Sequence, residues 1–125
     1  MSICATTRRC STPSVPNWNC STTSTPRVRG RPAGEGSYIE PPLHANWGCN
    51  TFVGERFYAN FNLTLVDDGV VTIGDDVMIG PNVTIVTTGH PIRPDLRKAP
   101  TVTQYSLPVT IGSSAWIGAN VTILP

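Results

Sequence analysis

The feature that most limits how this chain can fold is a six-residue repeat. In residues 71–91, VTIGDDVMIGPNVTIVTTGHP, Ile73, Ile79 and Ile85 stand six residues apart. Six is the period of neither an α-helix, which repeats about every 3.6 residues, nor a single strand, which repeats about every 2 residues. The same phase also appears upstream and downstream, in Val53–Gly54, Ala59–Asn60 and Leu65–Val66 and in Ile111, Ile117 and Ile123. Self-similarity at a short, fixed period indicates a repeat architecture.

A parallel β-helix satisfies this period, because each hexapeptide supplies one short strand and one turn, and three of them close a triangular coil. The aliphatic residue points into the coil and stacks on its equivalents about 4.8 Å away. Gly, Asn and Asp suit the turns, where unusual backbone angles are needed, and Thr and Val suit the pleated faces. The alternative is a meander of short strands, but two phased isoleucine triplets favour the β-helix. We therefore predict an all-β fold.

The repeat is broken at two places. A two-residue slip contains Asp67 and Asp68, and an interruption of about twenty residues, GHPIRPDLRKAPTVTQYSLP, contains His90. At the slip, a side chain can be aimed away from the regular face. The interruption predicts one loop that protrudes from the β-helix.

Composition separates the first 33 residues from the rest. Residues 1–33 are rich in Ser, Thr, Pro and Arg and show no strand or helix period, so we predict an irregular or disordered segment. A second hypothesis is a reading-frame error. If the frame is shifted one base upstream, the codons of residues 17–25 (NWNCSTTST) can encode an amphipathic helix such as ELELLDDFN. Residues 34–125 are predicted to form a β-helix domain that is incomplete, since the sequence stops within a repeat.

Charge and cysteine content restrict the partners and the compartment. The net charge of +1 gives no electrostatic reason for binding nucleic acid or a membrane surface, and no apolar run is long enough to span a bilayer. The four cysteines show no CxxC spacing, so we interpret them as free thiols of a reducing cytoplasm. A disulfide in the N-terminal segment is the weaker alternative. The cysteines are Cys4, Cys10, Cys20 and Cys49.

Longer strings carry a resemblance to a known family. FYANFNLTLVDD, VTIGDDVMIGPNVTI, TGHP, LRK and VTIGSSAWIGANV resemble the sugar O-acetyltransferases of the hexapeptide-repeat superfamily, the galactoside and maltose acetyltransferase group. The match covers about residues 34–125. It implies a left-handed parallel β-helix, a homotrimer with active sites between subunits, and acetyl-CoA as co-substrate. Family members also have an N-terminal helical segment that contributes to the acceptor site, and further coils, beyond the position of Pro125, that hold much of the coenzyme A site.

The resemblance also assigns roles to five residues. His90 matches the catalytic histidine of the family in TGHP, and a neutral imidazole can take the proton of an attacking hydroxyl. Asn46, Asn60 and Asp68 match positions that contact the acceptor sugar, whose hydroxyls form directed hydrogen bonds with amides and carboxylates. Ala119, in WIGAN, matches a position that contacts acetyl-CoA, where a backbone N–H can stabilise the thioester oxygen as it gains charge.

Nearby polar and aromatic residues have structural interpretations. Asp67 fits a turn cap, His44 a structural or surface position, and Trp116 the packing of a face or of the pantetheine arm. The loop cations fit solvated surface charge; they are Arg93, Arg97 and Lys98.

We therefore predict acetyl transfer from acetyl-CoA to a hydroxyl group of a sugar or glycoside. One alternative is an acetyltransferase for another hydroxyl acceptor, such as a lipo-oligosaccharide or an antibiotic. A second is a truncated, catalytically weak or inactive β-helix scaffold that still trimerises. The γ-class carbonic anhydrases share the β-helix but need three histidine ligands for zinc, and this chain has two histidines. That class is excluded, and no metal site is predicted.

Overall fold

The computed structural model describes residues 27–28, 31–32 and 34–125. The first two ranges are short strands, β1 (Arg27–Val28) and β2 (Arg31–Pro32), which pair antiparallel. The remainder of residues 1–33 lies outside the described residues. The irregular segment and the reading-frame hypothesis, which concern that part of the chain, stay predictions.

Residues 38–123 form three parallel sheets that the chain visits in rotation. The first sheet consists of β3 (Tyr38–Ile39), β6 (Tyr58–Ala59), β9 (Met78–Ile79) and β14 (Trp116–Ile117). The second consists of β4 (Leu43–Ala45), β7 (Leu63–Val66), β10 (Thr84–Val86) and β15 (Thr122–Ile123). The third consists of β5 (Thr51–Val53), β8 (Val71–Ile73) and β13 (Val109–Ile111). Each coil contributes one strand to each sheet, which is the predicted parallel β-helix.

The strand register measures the length of each coil. Tyr58 pairs with Met78, so this coil takes twenty residues, two more than three hexapeptides need. Met78 pairs with Trp116, thirty-eight residues later. The first step contains the predicted two-residue slip, and the second contains the predicted interruption. The sequence pattern therefore located both breaks.

The interior of the coils is apolar and closely packed. Ile73, Ile79 and Ile85 are at most 2% exposed, because alternate residues of each strand point inward and meet their equivalents in the next coil. Ile111 is also buried, whereas Ile117 and Ile123 are partly buried and pack against the same core. The predicted stacking of aliphatic residues is thus confirmed.

Two kinds of residue make the turns possible. Asn62, Asn82 and Asn120 have φ between 58° and 61°, in the left-handed region that asparagine tolerates better than most residues. Gly74 has a different function, because a Cβ there would lie 2.5 Å from Ser113 Oγ in the next coil. The expectation that turn glycines supply unusual backbone angles is therefore wrong for Gly74, where the close approach of the next coil excludes a side chain.

The chain turns between the sheets at three corners, and one corner collects all the extra residues. We call it the insertion corner; it lies between the second and third sheets and consists of residues 46–50, 67–70 and 87–108 in successive coils. The asparagine corner, between the first and second sheets, contains residues 60–62, 80–82 and 118–120. The third corner contains residues 54–56, 74–76 and 112–114. The insertion of residues 46–50 was not predicted from the sequence.

The longest insertion is the predicted protruding loop. It contains an antiparallel stem, β11 (Thr88–Gly89) paired with β12 (Tyr105–Ser106), and one helix, α1 (Pro94–Arg97). None of the helices in the described part of the chain is long and apolar enough to cross a membrane.

Substitution of Ile79 tests the packing of the core. Ile79 is 1% exposed, so Ile79→Ala should lower the free energy of unfolding by about 2–5 kcal/mol, the usual cost of truncating a buried aliphatic side chain. Its neighbour Met78 points outward and is 53% exposed, so Met78→Ala should cost about 1 kcal/mol or less. Urea denaturation measures both, and equal losses would contradict the inward assignment of Ile79.

Candidate active site

A buried carboxylate organises the insertion corner. Asp67 is fully buried, and its Oδ1 accepts a hydrogen bond from the backbone N–H of Trp47 at 2.9 Å. Its Oδ2 accepts from the backbone N–H of Asn50 and from the Thr51 hydroxyl, both at 3.3 Å. The Asn50 side chain in turn donates to the Asp67 carbonyl at 2.8 Å. Asp67 therefore joins two coils, which is more than the turn cap suggested by the sequence.

The next residue, Asp68, is held by two side chains from the preceding coil. Asn46 Nδ2 donates to Asp68 Oδ2 at 3.2 Å, and Trp47 Nε1 donates to Asp68 Oδ1 at 3.1 Å. Both carboxylate oxygens are thus oriented by in-chain donors. A carboxylate oxygen can accept more than one hydrogen bond, so Asp68 still has capacity for a ligand hydroxyl.

The base of the protruding loop packs against the same slip. The Thr87 hydroxyl accepts from the backbone N–H of Gly69 at 2.8 Å and donates to the carbonyl of Val66 at 2.7 Å. A Cβ on Gly69 would lie 3.2 Å from the carbonyl oxygen of Leu107, so the two insertions are in close contact. Thr87, which is fully buried, fixes where the loop leaves the β-helix.

His90 follows directly on the β11 strand of the loop stem. Its Nδ1 lies 2.9 Å from the carbonyl oxygen of Thr103. Because a carbonyl oxygen only accepts hydrogen bonds, Nδ1 carries the proton, and Nε2 of the neutral ring keeps its lone pair. The ring is exposed, so Nε2 is a proton acceptor that a bound molecule can reach.

The structure divides the five predicted site residues between two corners. Asn46, Asp68 and His90 lie at the insertion corner, in three successive coils. Asn60 and Ala119 lie at the asparagine corner, and Asn60 Oδ1 accepts from the backbone N–H of Phe61 at 2.8 Å. Among these five residues, the structure shows one direct hydrogen bond within the chain, which joins Asn46 and Asp68.

Charged pairs lie outside this polar cluster. Arg93 and Asp95 form an exposed ion pair of 2.6 Å within the loop, in agreement with the solvated role expected for Arg93. At the third corner, hydrogen bonds and the charge of Arg56 hold the pKa of the Asp76 carboxyl below its ordinary value. Within the described ranges, no group of three or more His, Cys, Asp and Glu side chains is placed to hold a metal ion.

Sequence reasoning missed several parts of this site. Trp47, Thr87 and Thr103 act through contacts between coils or across the loop, and no local motif marks them. The interpretation of all four cysteines as free thiols is wrong for Cys49, which is disulfide-bonded. The other three cysteines lie outside the described residues, and Cys49 belongs to the 46–50 insertion that the repeat analysis overlooked.

Known proteins are similar to this chain in sequence and in fold. No model of a known protein family matches the chain. The galactoside O-acetyltransferase of Escherichia coli (strain K12) is 53% identical over 92 residues, which cover 74% of this chain and 44% of that protein. A solved galactoside acetyltransferase in complex with coenzyme A is 53% identical, with a TM-score of 0.71 over 74% of this chain and 46% of its own. A hexapeptide-repeat containing acetyltransferase from Vibrio cholerae is 33% identical, with a TM-score of 0.69 over 73% of this chain and 51% of its own.

The β-helical part of this chain belongs to the hexapeptide-repeat acetyltransferases. The resemblance seen in the sequence is therefore confirmed, as is the left-handed β-helix that it implied. The chain spans less than half the length of the curated relatives it matches, 44% for the Escherichia coli protein.

Substitution of Asp67 tests the organisation of the insertion corner. Asp67→Ala removes the acceptor of the partly buried N–H groups of Trp47 and Asn50 and of the buried Thr51 hydroxyl, so it should lower the free energy of unfolding by about 2–4 kcal/mol. Asp75 is a matched control, since its carboxylate accepts one backbone N–H, that of Glu55, at an exposed corner. Asp75→Ala should cost about 1 kcal/mol or less. Thermal and urea denaturation of both variants gives the comparison, and a loss at Asp67 no larger than at Asp75 would contradict this role.

Proposed function

We propose that this chain transfers the acetyl group of acetyl-CoA to a hydroxyl group of a sugar or glycoside, with His90 as the general base. The observation that carries the proposal is the hydrogen bond from His90 Nδ1 to the Thr103 carbonyl. It leaves Nε2 as the basic nitrogen, on a loop that leaves the β-helix beside Asp68. Support for the reaction class comes from the galactoside O-acetyltransferases to which the chain is similar.

The proposed reaction needs one proton carrier and oriented substrates. His90 Nε2 takes the proton of the acceptor hydroxyl as the oxygen attacks the thioester carbonyl carbon. The carbon–sulfur bond then breaks, the coenzyme A thiolate leaves, and the imidazolium returns the proton to sulfur. The products are the acetyl ester and coenzyme A. A base in this position is typically worth about 10²–10⁴-fold in rate.

The other predicted residues have binding roles in this proposal. Asn46 and Asp68 hold acceptor hydroxyls, and their mutual hydrogen bond orients both groups toward the same space. Asn60 contributes a third polar contact to the acceptor. The exposed turn at Ala119 lies against acetyl-CoA, where its backbone N–H stabilises the thioester oxygen. A solved relative in complex with coenzyme A supports this choice of co-substrate.

The division of the site between two corners favours a homotrimer. Asn60 and Ala119 cannot reach the insertion corner without crossing a face of their own β-helix. A neighbouring copy that sets its asparagine corner against the insertion corner would complete the site, and cyclic symmetry would repeat that contact three times. We propose such a trimer, with one acceptor and one acetyl-CoA bound at each junction.

The proposed compartment is the cytoplasm, without membrane or nucleic-acid partners. The argument from four free thiols does not hold for Cys49. The proposal is therefore supported by the use of acetyl-CoA, a metabolite of the cell interior, and by the net charge of +1, which gives no electrostatic attraction to anionic polymers or lipids.

Substitution of His90 tests the reaction. His90→Ala should lower kcat for acetyl transfer to a galactoside by about 10²–10⁴-fold, because no other group replaces the Nε2 base. The matched control is His44→Ala, which removes an exposed histidine from β4 and should leave kcat within about twofold. Coenzyme A release, followed with a thiol reagent, measures both.

Three outcomes count against parts of this proposal. Turnover near the wild-type rate in His90→Ala would refute the assignment of the base. Transfer to other hydroxyl compounds but not to glycosides would refute the acceptor class. If the wild-type chain transfers no acetyl group to any acceptor, the activity itself is refuted for this chain.

A further inference from the structure

Trp47 is unusually exposed for a tryptophan, and the proposed reaction gives it no role. It belongs to the 46–50 insertion and is 47% exposed. Its Nε1–H donates to Asp68 Oδ1 at 3.1 Å, so the polar edge of the indole points at the carboxylate that is predicted to bind the acceptor sugar. Much of the remaining ring surface faces solvent beside that carboxylate.

The indole is not needed to hold the corner together. The backbone of Trp47 is anchored separately, by its N–H bond to the buried Asp67 carboxylate at 2.9 Å. The neighbouring Asn50 is anchored by the same carboxylate and by the Asp67 carbonyl. A side chain that serves packing alone would be buried in the fold, because exposing a large apolar ring has a free-energy cost. The exposed ring therefore suits a ligand better than the protein interior.

A sugar ring has the surface that matches this arrangement. A pyranose presents hydroxyl groups at its edge and C–H groups on its faces. The C–H face packs on an aromatic ring, whose π face carries partial negative charge, while an edge hydroxyl donates to a carboxylate. Trp47 and Asp68 offer these two complementary groups side by side. An acyclic polyol offers the same hydroxyls but no ring face.

We propose that Trp47 is a specificity-determining residue of the acceptor site, which selects pyranosides over acyclic hydroxyl compounds. Its ring packs against the face of the sugar, and its Nε1–H orients the Asp68 carboxylate toward a sugar hydroxyl. This inference rests on the proposed function and adds the class of acceptor to it.

Two variants separate the two contributions of Trp47. Trp47→Phe keeps an aromatic ring but removes the N–H donor to Asp68. Trp47→Ala removes both the ring and the donor. If the alanine variant does not fold, Trp47→Leu, which keeps apolar bulk without an aromatic ring, is used in its place. The control is Tyr38→Ala, since Tyr38 is a similarly exposed aromatic, at 54%, on the first sheet of the same coil. Circular dichroism establishes that each variant is folded.

The kinetic experiment compares methyl β-galactopyranoside with the acyclic polyol sorbitol. Loss of the N–H donor should raise the acceptor KM about 5-fold for both acceptors in Trp47→Phe. Trp47→Ala should raise it about 5-fold for sorbitol but about 50-fold for the pyranoside. This difference of about tenfold corresponds to about 1.4 kcal/mol, within the range expected of an aromatic contact. The KM for acetyl-CoA should stay within about twofold in every variant, and Tyr38→Ala should match the wild type.

A binding experiment keeps this inference separate from the proposed activity. Calorimetric titration with methyl β-galactopyranoside measures acceptor binding without turnover. Weaker binding in Trp47→Ala than in Tyr38→Ala would support the inference even if the wild type transfers no acetyl group, an outcome that refutes the activity alone. The inference is overturned if the wild type does not bind the pyranoside, if Trp47→Ala binds it as the wild type does, or if Trp47→Ala raises the KM of both acceptors by the same factor.

Discussion

The parallel register between successive coils is the constraint on which the rest of this structure depends. Each strand pairs in parallel with its equivalent one coil away, so that Thr64 lies beside Thr84 and Val71 beside Val109. Because side chains alternate between the two faces of a strand, a shift of one residue would turn every inward isoleucine toward water. The apolar interior therefore fixes the register. The register in turn decides which residues of different coils meet at the corners.

The candidate site is a product of that register. Asp67 and Asp68 are adjacent in sequence but have different environments, since Asp67 is fully buried and Asp68 is partly exposed. Asp67 bonds to two backbone N–H groups and the Thr51 hydroxyl of the preceding coil, while Asp68 bonds to the side chains of Asn46 and Trp47. A buried anchor and a partly exposed carboxylate thus occupy consecutive positions, just as successive residues of a strand point to opposite faces. The position of the Asp68 carboxylate is therefore set by side chains of the preceding coil.

The sequence predicted the parts of this arrangement that depend on period. Ile73, Ile79 and Ile85 revealed the core, and the breaks in their phase located the slip and the loop. His90 and Asp68 were predicted as site residues through resemblance to a family, since no local pattern distinguishes a catalytic histidine from a surface one, and these roles stay predictions. Trp47 and Thr103 were not found. They make hydrogen bonds to residues 21 and 13 positions away, respectively. The bond of Trp47 forms only once the coils are stacked, and that of Thr103 only once the loop folds back on itself. The first insertion escaped notice because it lies in the least regular part of the repeat.

The concentration of extra residues at one corner has a consequence for how such a chain can change over time. At the insertion corner the three coils carry segments of very different length, yet the strands on either side remain in register. A longer or shorter segment there leaves the ladders of all three sheets intact. At the third corner, by contrast, Gly74 has no room even for a methyl group beneath the next coil. Insertions and deletions at the edge that carries Asp68 and His90 can therefore leave the fold intact, and under the proposed function they would change the acceptor site.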